Sequence, residues 1–136
     1  MRKMLICVFA VTFLCFAGIS LADNGPADMV LQAEVDKAKK AKPAVFPHKK
    51  HQETLKCADC HHGAKDGKQV AYTEGMEIQK CETCHFKASG LEKKIATFKG
   101  AAHKNCKTCH KALVKEKPDL APKFKGCLPC HPKKKK

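Results

Sequence analysis

Eight of the ten cysteines in this 136-residue chain fall into one repeated pattern. They read Cys57-Ala58-Asp59-Cys60-His61, Cys81-Glu82-Thr83-Cys84-His85, Cys106-Lys107-Thr108-Cys109-His110 and Cys127-Leu128-Pro129-Cys130-His131. Each is CxxCH, and the chemistry explains the spacing. Two thiols three residues apart lie on one side of a helical turn and can add to the two vinyl groups along one porphyrin edge. A histidine four residues from the first thiol falls on the same face and can reach the iron. Four c-type haems are the expected cofactors, attached through Cys57, Cys60, Cys81, Cys84, Cys106, Cys109, Cys127 and Cys130.

Cysteine pairs also build disulfide frameworks, four-cysteine zinc sites and redox dithiols. None of these requires a histidine after every second cysteine. Histidine supplies 8 of 136 residues, so four chance placements have a probability on the order of 10⁻⁵ against a motif that demands them.

The histidine count extends the argument. Four lie inside the motifs, and His48, His51, His62 and His103 lie outside. Four irons with both faces filled need four further ligands, and the spare histidines match that number. Beyond the first segment of the chain, methionine is represented by Met29 and Met76 alone, too few for four irons. Bis-histidine ligation is therefore expected throughout, with His48, His51, His61, His62, His85, His103, His110 and His131 as axial ligands. Spacing leaves the pairing open, except that adjacent His61 and His62 cannot share one iron.

Arg2 and Lys3 precede an apolar run from Met4 to Ile19, which closes on Ser20-Leu21-Ala22. This is the charged, apolar, small-residue order of a secretory signal, cleaved after Ala22. The run falls short of the ~20 residues of a membrane-spanning helix. Residues 1–22 are expected to be a signal peptide that removes Cys7 and Cys15. Residues 23–136 then form one tetrahaem domain in the periplasm, a monomer with peripheral membrane contact at most.

That domain carries 25 lysines and no arginine against 13 carboxylates, leaving +12. Nucleic acid is excluded as a partner: there is no arginine fork for phosphate or base edges, one tyrosine, and no tryptophan for stacking. Lysine suits diffusional docking on an acidic protein surface. The apolar inventory is thin, and so small a domain needs some other staple. The expected fold is small, mostly irregular and α, with a short two-stranded β element, organised around its haems. The β element pairs Met29–Leu31 with Ala44–Phe46. Short helices are expected around Glu77–Phe86, Ala101–Leu113 and Phe124–His131, and a loop from Gly63 to Gly75.

The run Val45-Phe46-Pro47-His48-Lys49-Lys50-His51, followed by Cys57-Ala58-Asp59-Cys60-His61-His62, resembles the class III cytochromes c, the tetrahaem cytochrome c3 family. The resemblance covers nearly all of residues 23–136. It implies sixth ligands: His48 for the iron of His61, His62 for that of His85, His51 for that of His110, and His103 for that of His131. Two departures stand out. Many members stretch the second and fourth motifs to CxxxxCH, and His103 lies unusually close to Cys106. The C-terminal half is similar to the three-haem cytochrome c7 members, although the second motif they lack is present here.

The resemblance implies a low-potential electron carrier of anaerobic respiration, working between acidic redox proteins such as hydrogenase or membrane-bound cytochrome complexes. It also implies a lysine docking face near the fourth haem, where Lys123, Lys125 and Lys133 to Lys136 cluster. Filled axial positions leave no place for a substrate, so no catalytic residue is expected. The alternative is a multihaem reductase passing electrons directly to metal ions or small oxyanions, which needs an open sixth position.

Overall fold

The computed structural model describes residues 25–133. The expected signal peptide and Lys134 to Lys136 lie outside the described residues. Strands β1 (Met29–Leu31) and β2 (Ala44–Phe46) pair antiparallel, with Val30 opposite Val45. Pro43 and Pro47 bracket β2, and the residue before a proline is pushed out of helical geometry, so the triplet stays extended. Helix α1 (His48–Gln52) starts directly after Pro47 and puts His48 and His51 one turn apart on one face. The Val45 N–H donates to the Cys130 carbonyl at 2.9 Å, which ties the β1–β2 ribbon to the fourth motif.

The expected loop at Gly63–Gly75 contains a second hairpin. Strands β3 (His62–Lys65) and β4 (Lys68–Ala71) pair antiparallel around Asp66-Gly67. Both central residues have positive φ, 52° and 72°. This is the type I′ turn that Asp-Gly favours, whose twist matches that of the flanking strands.

Helix α2 (Phe98–Glu116) is the main scaffold and is longer than its expected span. Thr97 caps it by accepting the Gly100 N–H on Oγ1 at 3.1 Å. It stops before Pro118, where Lys117 leaves helical geometry at φ −128° and ψ 81°. Gly100 lies in the first turn because no side chain fits there: a Cβ would sit 2.5 Å from the Lys94 carbonyl oxygen. Gly100→Ala is expected to destabilise the haem-loaded protein by about 1–3 kcal/mol through overpacking. An unchanged midpoint of thermal unfolding would contradict that close approach.

The other two expected helices are replaced by tighter turns. Within Glu77–Phe86 only Cys81–Thr83 forms a 3₁₀ turn. The last regular element is a 3₁₀ stretch, Pro118–Phe124, and residues 125–131 continue as bends and turns. Pro118 and Pro122 lack the N–H donors of an α-helix, and Gly126 at φ +77° and Pro129 punctuate the remainder.

No apolar core holds these pieces together. Among the described residues Ala96, 9 % exposed, is the one buried apolar residue, and Val30 and Leu128 are 68 % and 58 % exposed. The histidines and thiols of the four motifs do not replace such a core, since they are half-buried or exposed.

Candidate functional site

Each motif adopts the same local turn. The histidine N–H donates to the carbonyl of the first cysteine at 2.8 Å in His61–Cys57, His85–Cys81 and His131–Cys127. The third motif repeats this bond within α2, which carries Cys106, Cys109 and His110. An extended lysine leads into each of the first two turns, Lys56 at ψ 154° and Lys80 at ψ 139°. Asp59 closes the first by accepting the Lys56 N–H at 2.8 Å.

The eight histidines come together two by two. Ring centroids lie 6.2 Å apart for His48 and His61, 5.9 Å for His62 and His85, 6.1 Å for His51 and His110, and 6.1 Å for His103 and His131. An imidazole nitrogen lies ~2 Å from a first-row metal, with its ring centre ~1 Å beyond, so two rings on opposite sides of one iron are ~6 Å apart. The donor set thus fits a metal with two imidazoles in line. A porphyrin supplies the four remaining nitrogens, which makes pairs sufficient. Among the described residues no three or more His, Cys, Asp or Glu gather in a metal-holding group, as a four-cysteine zinc site would need. Among the described residues no disulfide joins the eight motif cysteines.

Each pair contains one imidazole anchored through Nδ1. His48 Nδ1 lies 3.0 Å from the Pro26 carbonyl, His51 2.9 Å from that of Pro47, His85 2.7 Å from that of Ile95, and His131 3.0 Å from that of Pro43. A carbonyl only accepts, so these Nδ1 atoms carry the proton and donate it. Nε2 is left with its lone pair free for a metal.

Burial favours the neutral ring elsewhere. It lowers the pKa of His61, helped by His48 and His62, and that of His110, helped by His51. At His103 burial acts first, then the charges of Lys107, His131 and Lys99. Neutral imidazole is the form that binds iron. Burial likewise raises the thiols of Cys60, Cys81 and Cys106. Cys106 feels Cys130, Cys60 and Cys81, one thiol from each of the other motifs, so all four attachment points converge on α2.

Sequence reasoning did not find the groups that hold this convergence. The Glu82 carboxylate, inside the second motif, accepts the Glu34 N–H at 2.9 and 3.0 Å and the Val35 N–H at 2.9 Å. Asp36 returns the contact by accepting the Lys87 N–H at 2.7 Å. Together these bonds clamp residues 34–36 onto the second motif. An x position in CxxCH carries no signal for such a role, and the partners are nearly fifty residues away. Phe124, stacked on His110 at 4.3 Å, was equally hidden.

Lysines surround the fourth pair. A cleft of about 440 Å³ is lined on the His103 side by Lys94, Lys104, Lys107 and Lys111, and one of about 360 Å³ on the His131 side by Lys42 and Lys133. Lys123 and Lys125, which precede Cys127 in the chain, are exposed.

Residues 26–131 match the model of the class III cytochrome c family. The chain is 38% identical over 119 residues to a cytochrome c3 of Maridesulfovibrio salexigens, across 82% of this chain and 99% of that protein. It is 30% identical over 116 residues to a cytochrome c3 of Desulfovibrio desulfuricans, across 81% and 98%. No solved structure matches the chain.

Proposed function

The chain belongs to the class III cytochrome c family, and from that premise we propose that it carries electrons in the periplasm through four low-potential bis-histidine haems. It is an electron carrier rather than an enzyme, and its four CxxC motifs fit four c-type haems. The observation that carries the finer reading is the set of four imidazole pairs at 5.9–6.2 Å. In this reading His61, His85, His110 and His131 are the proximal ligands, and His48, His62, His51 and His103 complete the same irons in that order. When bound, the haems supply one-electron chemistry between ferric and ferrous iron.

The chain's own residues do three things. First, the paired imidazoles would hold each iron from both sides, which would leave no place for a substrate and keep potentials below those of histidine–methionine sites. Second, they link the four sites in a row. His61 and His62 are neighbours and join the first and second sites; His48 and His51 on α1 join the first and third. His103 and His110, two turns apart on α2 and so separated by ~10 Å along its axis, join the third and fourth. Third, the lysines present a positive face beside the fourth site. The +12 of residues 23–136 stays positive after four ferric haems with ionised propionates, about −1 each, are added.

Residues 1–22 serve as the export signal, ahead of the family match, which begins at residue 26. Partners are acidic redox proteins of anaerobic respiration, such as a hydrogenase or a membrane-bound cytochrome complex. The test is stopped-flow electron transfer from an acidic hydrogenase. Lys123→Glu with Lys125→Glu is expected to slow the reaction several-fold and flatten its salt dependence, because fewer attractive charges remain to be screened. Rates and salt slope equal to wild type would contradict docking at this face.

A further inference from the structure

One imidazole pair is unlike the other three. His48 with His61, His62 with His85, and His103 with His131 are nearly perpendicular, at 88°, 88° and 80°. His51 and His110 are inclined by only 37°. This pair is also bracketed by phenyl rings. Phe46 lies against His51 at 4.7 Å, and Phe124 is stacked on His110 at 4.3 Å and 29°. Phe46, His51, His110 and Phe124 therefore form a column of four rings through the third site.

An imidazole bound to iron keeps one soft freedom, rotation about the iron–nitrogen bond. A hydrogen bond on its other nitrogen or a packed ring face removes it. His51 has the first device, Nδ1 on the Pro47 carbonyl at 2.9 Å. His110 has the second, the face of Phe124. Phe124 closes the 3₁₀ stretch Pro118–Phe124, three residues before Cys127 of the fourth motif. The segment that carries the fourth site thus sets a ring of the third.

We propose that Phe124 is a positioning residue that holds His110 at its low inclination to His51 and thereby gives the third iron a ferric electronic state distinct from the other three. The proposal rests on the ligand set given above. In low-spin ferric iron the unpaired electron occupies a d orbital that interacts with the π systems of both imidazoles. Near-parallel rings act along one direction and separate the two candidate orbitals, which gives a rhombic paramagnetic spectrum. Perpendicular rings act equally on both and leave them close in energy, which gives a strongly anisotropic one. Three sites are of the second kind, and the third site, at 37°, lies nearer the first.

Low-temperature electron paramagnetic resonance of the fully ferric holoprotein tests this, with haem content fixed by intact mass. The wild type is expected to show one rhombic low-spin component holding a quarter of the spins and three strongly anisotropic ones. Phe124→Leu should remove the rhombic quarter or move it toward the others, with four haems retained and the remaining components unchanged. Phe124→Tyr, which keeps the ring face, should preserve the wild-type spectrum. A wild type with no rhombic quarter, or a Phe124→Leu protein that keeps it intact, overturns the proposal while four low-spin signals leave the ligand set standing. A high-spin ferric signal in the wild type overturns the ligand set and this proposal together.

Discussion

Replacing His103 by methionine is expected to raise one of the four reduction potentials by on the order of 100 mV and to leave the other three near their starting values. The direction follows from the ligand. A thioether donates less charge than imidazole and favours ferrous iron. Confinement to one site follows from the geometry, since among the described residues the ring that pairs with His103 is His131, at 6.1 Å. It is exposed in a cleft that Lys104 and Lys107 also line, on the same face of α2 as His110 two turns on. A spectroscopic redox titration reads the result, together with the charge-transfer band of a methionine-bound ferric haem. Four unmoved potentials would show that His103 is not an iron ligand.

Loss of the haems is expected to abolish the fold, the second large effect. A chain with all eight motif cysteines changed to alanine has no thioether attachment, and its far-ultraviolet circular dichroism should be that of a largely unfolded polypeptide. The burial pattern is the reason. Beyond Ala96 the described residues offer no buried apolar side chain, and a domain this small rarely holds together on so little. The 19-residue helix α2 would be marginal alone, as isolated helices of this length are. Cysteine-free protein with native helix content and a cooperative thermal transition would mean that side-chain packing, not the cofactor, supports the structure. Removing only Cys81 and Cys84 is a milder change. It should leave three haems on a less stable protein, because α1, the β1–β2 ribbon and α2 bear on the other three sites.

The parts of this protein that were legible in its sequence are those dictated by local chemistry. CxxCH identifies the attachment points because thiol addition and iron ligation fix the spacing. Pro43 and Pro47 mark β2, and its apolar triplet matches Met29–Leu31. The Asp66-Gly67 hairpin was also written there. It was obscured because its strands, His62–Lys65 and Lys68–Ala71, are short and charged, without alternating apolar residues. Helix propensity around Glu77–Phe86 and Phe124–His131 yielded to the motif turn, which needs only one α-type bond from histidine to cysteine. What stayed hidden is tertiary. The clamp of Glu82 on Glu34 and Val35, and the stack of Phe124 on His110, join residues whose separation or type carries no local signal. Which imidazole faces which belongs to the same class, since spacing restricts the pairing only at His61 and His62.

The most direct test of four irons closed on both faces is the carbon monoxide difference spectrum of the dithionite-reduced holoprotein at neutral pH. Carbon monoxide binds ferrous haem only where an axial position is open or weakly held. With eight imidazoles facing in four pairs, no adduct is expected and the reduced spectrum should be unchanged. A stoichiometric carbon monoxide adduct at even one haem would contradict the account.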